Sequence, residues 1–396
     1  MKKVIYLTKN GLLEPLGQSQ ILPYIKGLSK DYHVTLITFE KRKDFYDKVL
    51  LKENELECRI HGINWISKLY PNKSKFYNVF LNFLEMLILT YKHARKEEAD
   101  IIHARSYLPT FVGCLVSSLI KIEVIFDMRA LWPEELIQAG RIKRNSLNHH
   151  ILSWMERFCV KRSTAIISLT HAAVKYLRSC YQKELKEKSI SVIPTCVDLE
   201  KFVMKSRTET NPIVYGCVGT ILSGWFLTDW LSKWFLLVSE QDSQAHFEIV
   251  SRDSECAIHK ALPFCRAAQT NVTIGSAKSE DMPSVFARHT VSVMFFSPGI
   301  GKLGSAPTRL AEALASGIPI VTNAGVGDVE EIIRKYQVGV IVNSLSHEDL
   351  LNAYNELSRL LLDDGLQRRC RETAEIIFSL DMAVASYSTL YKELAE

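Results

Sequence analysis

Short runs of apolar residues alternate with longer segments of mixed polarity along the chain. The first two runs lie at residues 3–7 and 33–39. Apolar runs of this length, bounded by turn residues, are typical of buried parallel strands. Between them lie a loop with Gly11 and Gly17 and a segment with helical periodicity at 19–28. The chain therefore opens as strand, glycine loop, helix and strand, which is the parallel unit with a right-handed crossover.

The same alternation occurs in two series, separated by a polar stretch without periodicity at residues 203–211. We predict further strands at 101–103, 123–127, 165–169, 191–194, 213–219, 247–250, 272–274, 291–295, 318–322 and 338–341. Strands and helices that alternate twice over predict an α/β protein of two Rossmann-like, doubly wound lobes. Ligands of such sheets bind beyond the carboxyl ends of the strands, so we expect the lobes to face a cleft.

We place the first lobe at residues 1–202 and the second at 203–379. The last segment, at about 380–396, has its apolar residues on one side of a helix, and we expect it to return to the first lobe. No regular pattern is evident in residues 41–75, which we interpret as loops.

Composition restricts the class of protein further. The length of 396 residues exceeds what one hydrophobic core usually supports. The nine cysteines are scattered without a CxxC pair, which argues against a zinc or dithiol site and fits a reducing compartment. The first apolar run is too short for a signal peptide, and no run is long enough to span a membrane. We therefore expect a cytoplasmic protein.

The net charge of +5 is unevenly distributed, because Lys and Arg exceed Asp and Glu in the first half and the reverse holds in the second. This asymmetry suggests that the first lobe contacts something anionic, although the charge taken alone is better explained by a solvated lysine-rich surface. The long apolar segment around residues 76–89, preceded by lysines, adds the hypothesis of peripheral contact with an anionic membrane. We expect no nucleic acid partner.

Several familiar ligand-binding motifs are absent. Residues 219–224 have the glycine spacing of a phosphate loop, but Trp225 and Phe226 stand where lysine and a hydroxyl residue are needed. No GxGxxG pattern of nicotinamide-binding proteins follows the first strand, and the chain lacks the GxSxG and HExxH patterns of α/β-hydrolases and zinc proteases.

The most informative block is at residues 304–321, where a loop of small residues leads into a helix that carries Thr308, Arg309 and Glu312. Amides at a helix start, together with the helix dipole, form an anion site, and a nearby arginine adds a bidentate contact. Glu312 is placed to accept hydrogen bonds from sugar hydroxyls. The alternative is structural, with Ser305 or Thr308 as an N-cap and Glu312 compensating the dipole.

With this block the chain resembles glycosyltransferase family 4, whose fold is GT-B. The resemblance covers nearly the whole length. It rests on the ordered occurrence of Gly17, Asp100-Ile-Ile-His103, the segment 192–202, and the Glu312 helix followed by Gly317-Ile-Pro-Ile-Val. Residues 126–135 also resemble a block of some bacterial members. The resemblance implies a nucleotide-diphosphate sugar donor on the second lobe, an acceptor on the first, retention of anomeric configuration, and neither a metal nor another cofactor.

The resemblance also implies site residues. The candidates for catalysis are His103, Arg105, Asp127 and Arg129. The candidates for donor binding are Gly17, Gly219, Thr220, Arg252, Lys302, Ser305, Thr308, Arg309 and Glu312.

The chain departs from the family pattern in three places. Gly304 occupies the position of the first of two family glutamates, and Arg105 stands where many members have a second histidine. The loop at 219–224 lacks the usual basic pair, so that Arg309, Arg252 or Lys302 would contact the diphosphate.

The expected activity is transfer of a hexosyl or N-acetylhexosaminyl group to a glycan or lipid-linked acceptor. It would serve bacterial polysaccharide biosynthesis, such as that of capsule, O-antigen or lipopolysaccharide. Two alternatives stay open, a GT-B-fold nucleotide-sugar epimerase and a catalytically inactive nucleotide-sugar-binding partner. The sequence does not specify the nucleotide, the sugar, the acceptor or the oligomeric state.

Overall fold

The computed structural model describes residues 1–70, 76–204, 212–264 and 271–395. It divides into two compact units, unit 1 (Met1–Pro194 with Leu380–Glu396) and unit 2 (Thr195–Ser379). The boundary follows Pro194 and not residue 202, because the intervening segment bonds to unit 2. The Arg371 guanidinium donates to the carbonyls of Leu199 and Phe202. Most of the predicted linker lies outside the described residues.

Unit 1 contains a seven-stranded parallel sheet with the order β3-β2-β1-β4-β5-β6-β7. Its central strands are almost completely buried, which explains their apolar sequences. The strands are β1 (Lys3–Thr8), β2 (His33–Glu40), β3 (Asn64–Leu69), β4 (Ile101–Arg105), β5 (Glu123–Met128), β6 (Ala165–Ser168) and β7 (Ile190–Val192).

Ten helices cover this sheet among the described residues. They are α1 (Pro15–Gln20), α2 (Leu22–Leu28), α3 (Arg42–Phe45), α4 (Lys48–Ile60), α5 (Phe76–Lys96), α6 (Tyr107–Ile120), α7 (Trp132–Gln138), α8 (Leu147–Arg162), α9 (His171–Cys180) and the last helix α17 (Leu380–Ala395). Helix α17 packs on α2, where the rings of Tyr387 and Tyr24 meet edge to face at 5.8 Å.

The interpretation of residues 41–75 as loops was wrong, because α3, α4 and β3 lie in this segment. Helix α4 begins at an N-cap, Asp47, whose carboxylate accepts from the amides of Val49 and Leu50. Strand β3 is at the sheet edge and has no fully buried position, so it lacks the apolar run that identified the other strands. The single helix predicted at 19–28 is instead two helices, with Pro23 in the first turn of the second.

Unit 2 contains a six-stranded parallel sheet with the order β10-β9-β8-β11-β12-β13. Its strands are β8 (Val214–Val218), β9 (His246–Val250), β10 (Val272–Gly275), β11 (Val291–Met294), β12 (Ile320–Asn323) and β13 (Gly339–Val342). Its described α-helices are α10 (Thr228–Gln241), α11 (Glu255–Ala261), α12 (Met282–Phe286), α13 (Thr308–Ala315), α14 (Val329–Tyr336), α15 (His347–Leu361) and α16 (Leu366–Phe378), and two short 3-10 helices lie at Ser279–Asp281 and Ile300–Lys302.

The fold class is confirmed, since both sheets are parallel and doubly wound. The strand order reverses between β1 and β4 in unit 1 and between β8 and β11 in unit 2. Loops that leave the carboxyl ends of strands at such a switch point diverge and make room for a ligand. The cleft between the lobes stays a prediction. Among the described residues, no helix has both the length and the apolar character that crossing a membrane requires.

Candidate functional site

In unit 1 the four predicted catalytic residues meet near the carboxyl ends of β4 and β5. The Asp127 carboxylate is the centre of this charged cluster and is completely buried. One carboxylate oxygen lies 3.3 Å from Nη1 of Arg129, and the other lies 3.5 Å from both Nη1 of Arg105 and Nε2 of His103. The sequence therefore identified residues that are neighbours in the structure, although their chemical roles remain predictions.

The charged cluster has more positive than negative charge. Burial alone would raise the pKa of Asp127, but Arg129, the His103 ring and Arg105 together hold this pKa below its usual range. Burial lowers the pKa of His103, and Asp127 only partly opposes this shift. At neutral pH the cluster thus contains one carboxylate, two guanidinium groups and a neutral imidazole.

His103 does not end its strand, as the predicted strand at 101–103 implied, because β4 continues to Arg105. It is the middle residue of β4 and is fully buried. Its Nδ1 lies 2.6 Å from the Tyr391 hydroxyl of α17, and its ring packs 4.5 Å from that of Tyr6. Helix α17 therefore covers the histidine. The side chains of Arg105 and Arg129, 6% and 12% exposed, are the members of the cluster that reach the surface.

Gly17 lies inside α1 and is buried, so it is not the turn residue of an open loop. A Cβ atom at this position would approach the carbonyl oxygens of Gly11 and Leu12 to 2.3 and 2.5 Å. The close approach of the preceding loop to the helix thus explains the glycine without a ligand. Contact of Gly17 with donor phosphates stays a prediction.

Glu40 is a site residue that sequence reasoning missed. Its buried carboxylate, at the end of β2, accepts from the amides of Leu12 and Leu13 at 2.7 and 3.1 Å. It also accepts from the Thr38 hydroxyl at 2.5 Å, and burial raises its pKa. Glu40 therefore fixes the loop between β1 and α1. The available signal was a charged residue that ends an apolar strand.

In unit 2 the loops that follow β8 and β9 are joined at the carboxyl edge of the sheet. The amide of Leu222 donates to the Asp253 carboxylate at 3.0 Å. This contact brings the loop with Gly219 and Thr220 beside the exposed Arg252. These three predicted donor-binding residues consequently share one edge of the sheet.

The loop after β11 joins the same edge. The Lys302 ammonium lies 3.7 Å from the centre of the Trp225 ring, a cation–π contact with the loop after β8. Asn323, at the end of β12, fixes this region, because its side chain accepts from the Phe296 amide at 2.8 Å and donates to the Phe296 carbonyl at 2.9 Å. Asn323 was also missed by sequence reasoning.

Helix α13 begins at Thr308, and its N-cap is Pro307. No side chain caps it, so the alternative in which Ser305 or Thr308 serves as the N-cap is wrong. The Leu310 amide donates to the Pro307 carbonyl at 3.1 Å, but no side-chain oxygen caps the start of the helix, and the dipole adds partial positive charge there. An anionic group is the natural partner of such a helix start.

Arg309 and Glu312 form an ion pair one turn apart on α13. Glu312 is buried, and burial raises the pKa of its carboxyl, while the Arg309 charge opposes the shift. The two residues predicted to bind the sugar donor thus contact each other. Gly304, at the position of the first family glutamate, is buried and provides no carboxylate.

No group of three His, Cys, Asp or Glu side chains in the described part of the chain is arranged to hold a metal ion. The expectation of a reaction without metal or other cofactor remains a prediction.

Two doubly wound parallel sheets, each with polar residues at its switch point, match the two-lobe GT-B architecture. Residues 21–201 match the family model described as Glycosyltransferase Family 4, and residues 212–359 match that described as Glycosyl transferases group 1. The chain therefore belongs to the GT-B glycosyltransferases of family 4 and group 1 type. No curated protein matches it.

Solved structures show the same fold. A glycosyltransferase from Rickettsia africae superposes with a TM-score of 0.73 at 14% identity, covering 100% of this chain and 99% of that one. Anabaena HepE in complex with UDP and glucose has a TM-score of 0.65 at 11% identity, with 99% of both chains covered. WaaG, a glycosyltransferase involved in lipopolysaccharide biosynthesis, has a TM-score of 0.67 at 15% identity, with 97% and 99% covered. At these identities the likeness concerns the fold.

Proposed function

We propose that this protein is a retaining glycosyltransferase that transfers a hexosyl or N-acetylhexosaminyl group from a nucleotide-diphosphate sugar to a glycan or lipid-linked acceptor. The pathway proposed is bacterial polysaccharide biosynthesis, as for capsule, O-antigen or lipopolysaccharide. The observation that carries the donor half is the start of α13, which has no side-chain cap and presents Arg309 and Glu312. Supporting context comes from the complex of HepE with UDP and glucose and from the pathway named for WaaG.

The proposed mechanism follows the charge that develops on the leaving diphosphate. The amides at the start of α13 and the Arg309 guanidinium would stabilise this charge as the glycosidic bond breaks. Glu312, released from Arg309, would accept hydrogen bonds from ribose hydroxyls. The other predicted donor-binding residues follow strands at the carboxyl edge of the same sheet and would complete the donor site; they are Gly219, Thr220, Arg252, Lys302 and Ser305. The acceptor hydroxyl would then bond to the anomeric carbon on the face that the diphosphate leaves, and its proton would pass to the departing diphosphate.

The experiment is a calorimetric titration with a panel of nucleoside diphosphates and nucleotide sugars. We expect one base to be selected and Glu312→Gln to weaken its binding tenfold or more, which corresponds to about 1.4 kcal/mol. The matched control is Glu372→Gln, which alters an exposed ion pair on α16. Equal affinities for wild type and Glu312→Gln would refute the donor role of Glu312, and no nucleotide binding would refute the proposed function.

Gly304 motivates one alternative, a nucleotide-sugar-binding partner without catalysis, because it removes a carboxylate that the family commonly has. The epimerase alternative requires no acceptor. Donor turnover in the absence of any acceptor would favour the epimerase. Tight donor binding without turnover over a broad acceptor panel would favour the inactive partner.

We also propose that unit 1 contacts an anionic membrane surface, on the cytoplasmic side, where a lipid-linked acceptor would be presented. Helix α8 exposes Leu147, Ile151 and Trp154 at helical spacing, and Trp154 is 58% exposed. The exposed bases Lys161 and Arg162 follow on the same helix. Apolar side chains beside basic ones are typical of helices that lie in the membrane interface.

This proposal is tested by sedimentation with vesicles of phosphatidylglycerol and phosphatidylethanolamine. We expect binding that decreases with salt and that Ile151→Ser combined with Trp154→Ser reduces at least threefold. Leu362→Ser, which alters an exposed leucine of unit 2, is the control and should bind as wild type does. Equal binding of the α8 variant and the control would contradict the proposed surface.

A further inference from the structure

We infer that Arg105 and Arg129 form a binding site for an anionic group, a phosphate or a carboxylate, on the acceptor. This inference rests on the proposed function and adds the substrate class. The acceptor would carry this acidic group close to the hydroxyl that receives the sugar.

Charge is the first argument. Two guanidinium groups share one carboxylate, Asp127, at distances of 3.3 and 3.5 Å, and the adjacent His103 is neutral. The surplus positive charge is nearly enclosed, since Arg105 and Arg129 are 6% and 12% exposed. A buried charge without a full counter-charge is costly, and a bound anion would supply the missing one.

Unmet hydrogen-bond donors are the second argument. Nε of Arg129 and Nε2 of Gln20 are buried and have no hydrogen-bond partner. The side-chain oxygen Oε1 of Gln20 lies 3.5 Å from Nη2 of Arg129, because the positive guanidinium attracts the oxygen and not the NH2 group. The side-chain nitrogen Nε2 of Gln20 therefore points away from Arg129. Buried polar groups in proteins are normally hydrogen-bonded, and a ligand is one explanation of such exceptions. Both atoms are donors, which an anion would accept.

Position is the third argument. Gln20 ends α1, Arg105 ends β4 and Arg129 follows β5. These segments meet beside the switch point between β1 and β4, where doubly wound sheets bind their ligands. Arginine is also the side chain best suited to planar recognition of phosphate or carboxylate.

An anionic group that binds these arginines can belong to the acceptor or to the donor, because the donor also carries phosphates. The donor diphosphate has its own candidate site at the start of α13 in unit 2. For this reason we assign the arginine pair to the acceptor. The experiment must separate the two sources.

The test titrates inorganic phosphate, and in parallel acetate, into the full-length protein saturated with the nucleoside diphosphate that it prefers, at constant ionic strength in chloride. If no nucleotide binds, the proposed function is refuted. The anion titration is then carried out with the Arg309→Gln variant, in which the candidate anion site of α13 is removed. We expect Arg105→Gln and Arg129→Gln each to weaken anion binding tenfold or more, with nucleotide affinity changed less than twofold. Arg157→Gln, at an exposed arginine that pairs with the mostly buried Glu184, is the matched control.

A variant that leaves the ion pairs intact guards against loss of folding. Gln20→Ala removes the side-chain amide, both its unpaired Nε2 and the Oε1 that faces Arg129, but leaves the ion pairs of Asp127 in place, and we expect it to weaken anion binding about threefold. Unchanged anion binding in Arg105→Gln, Arg129→Gln and Gln20→Ala, or no anion binding to wild type, would overturn the inference. Loss of nucleotide binding in the two arginine variants would also overturn it, by assigning the site to the donor.

Discussion

The two units each place an arginine and a carboxylate at the ligand-binding edge of a parallel sheet, but with opposite electrostatic results. In unit 1, Asp127 is buried between two guanidinium groups, which hold its pKa below the usual range. In unit 2, Glu312 has a single partner, Arg309, and burial raises its pKa. The comparison shows that the number of charged partners, weighed against desolvation, decides whether a buried carboxylate is held ionised.

The difference has structural consequences. The unit 1 cluster lies under α17, which adds the Tyr391 hydroxyl to its hydrogen bonds. The unit 2 pair lies on the first turns of α13, where Arg309 is about one third exposed. We therefore expect substitutions in the unit 1 cluster to affect mainly stability, and substitutions in the unit 2 pair to affect mainly donor binding.

The largest effect is expected for Asp127→Asn. The substitution keeps the shape but leaves two buried guanidinium groups without a counter-charge, which should reduce the free energy of unfolding by about 3–5 kcal/mol. Equilibrium urea unfolding followed by circular dichroism measures the change. The matched control is Asp363→Asn, at an exposed carboxylate that pairs with the partly buried Arg369, for which a loss below about 1 kcal/mol is expected.

The pH dependence of this deficit gives a second check. Because the pKa of Asp127 is lowered in the folded state, its contribution is present above the unfolded value of about 3.9 and is lost as the pH falls further. The difference in free energy of unfolding between wild type and Asp127→Asn should be constant from pH 5 to pH 8. A deficit that grows between these values would show that another group titrates in the cluster.

A smaller effect is expected for Tyr391→Phe, which tests whether α17 belongs to the unit 1 cluster. The substitution removes the hydroxyl 2.6 Å from Nδ1 of His103 and leaves that buried nitrogen unpaired. The expected loss is about 1–3 kcal/mol, with faster hydrogen exchange along residues 380–395. Tyr46→Phe, at an exposed tyrosine, is the control. Equal stability of the two variants would show that the hydroxyl contributes nothing to docking of the helix.

Much of the fold could be predicted because its central strands are buried on both faces. The runs that became β1, β4, β5 and β12 are apolar for this reason. The edge strand β3 and the polar helix α4 have no such run, and only tertiary contacts define them. The same limit applies to the domain boundary, which depends on contacts of Arg371 with residues far away in sequence.

The sequence predicted which residues belong to the candidate site better than it predicted their burial and their contacts. Residues at strand ends, such as Asp127 and Arg129, could be grouped because parallel strands end at one edge. The burial of His103 could not be foreseen, since α17 arrives from the other end of the chain. Glu40 and Asn323 position loops through backbone contacts that no residue spacing encodes.

The smallest effect on stability, and the sharpest test of the comparison, is expected for Glu312→Gln. The folded-state pKa of Glu312 is raised, so the wild-type carboxyl contributes stability below its unfolded value of about 4.3 and loses it as the pH rises through the folded value. At pH 7 the glutamine variant should therefore be as stable as wild type or slightly more stable, by less than about 1 kcal/mol. Urea unfolding at pH 4.5 and pH 7 measures this difference.

Arg309→Gln sharpens the result, because it removes the positive charge that opposes the effect of burial on Glu312. In that variant the loss of stability between pH 4.5 and pH 7 should be steeper than in wild type. If Glu312→Gln were instead destabilised more at pH 7 than at pH 4.5, the carboxylate would be stabilised in the fold as Asp127 is. The two units would then use their carboxylates alike, and the division between a structural cluster and an exchangeable donor-binding pair would fail.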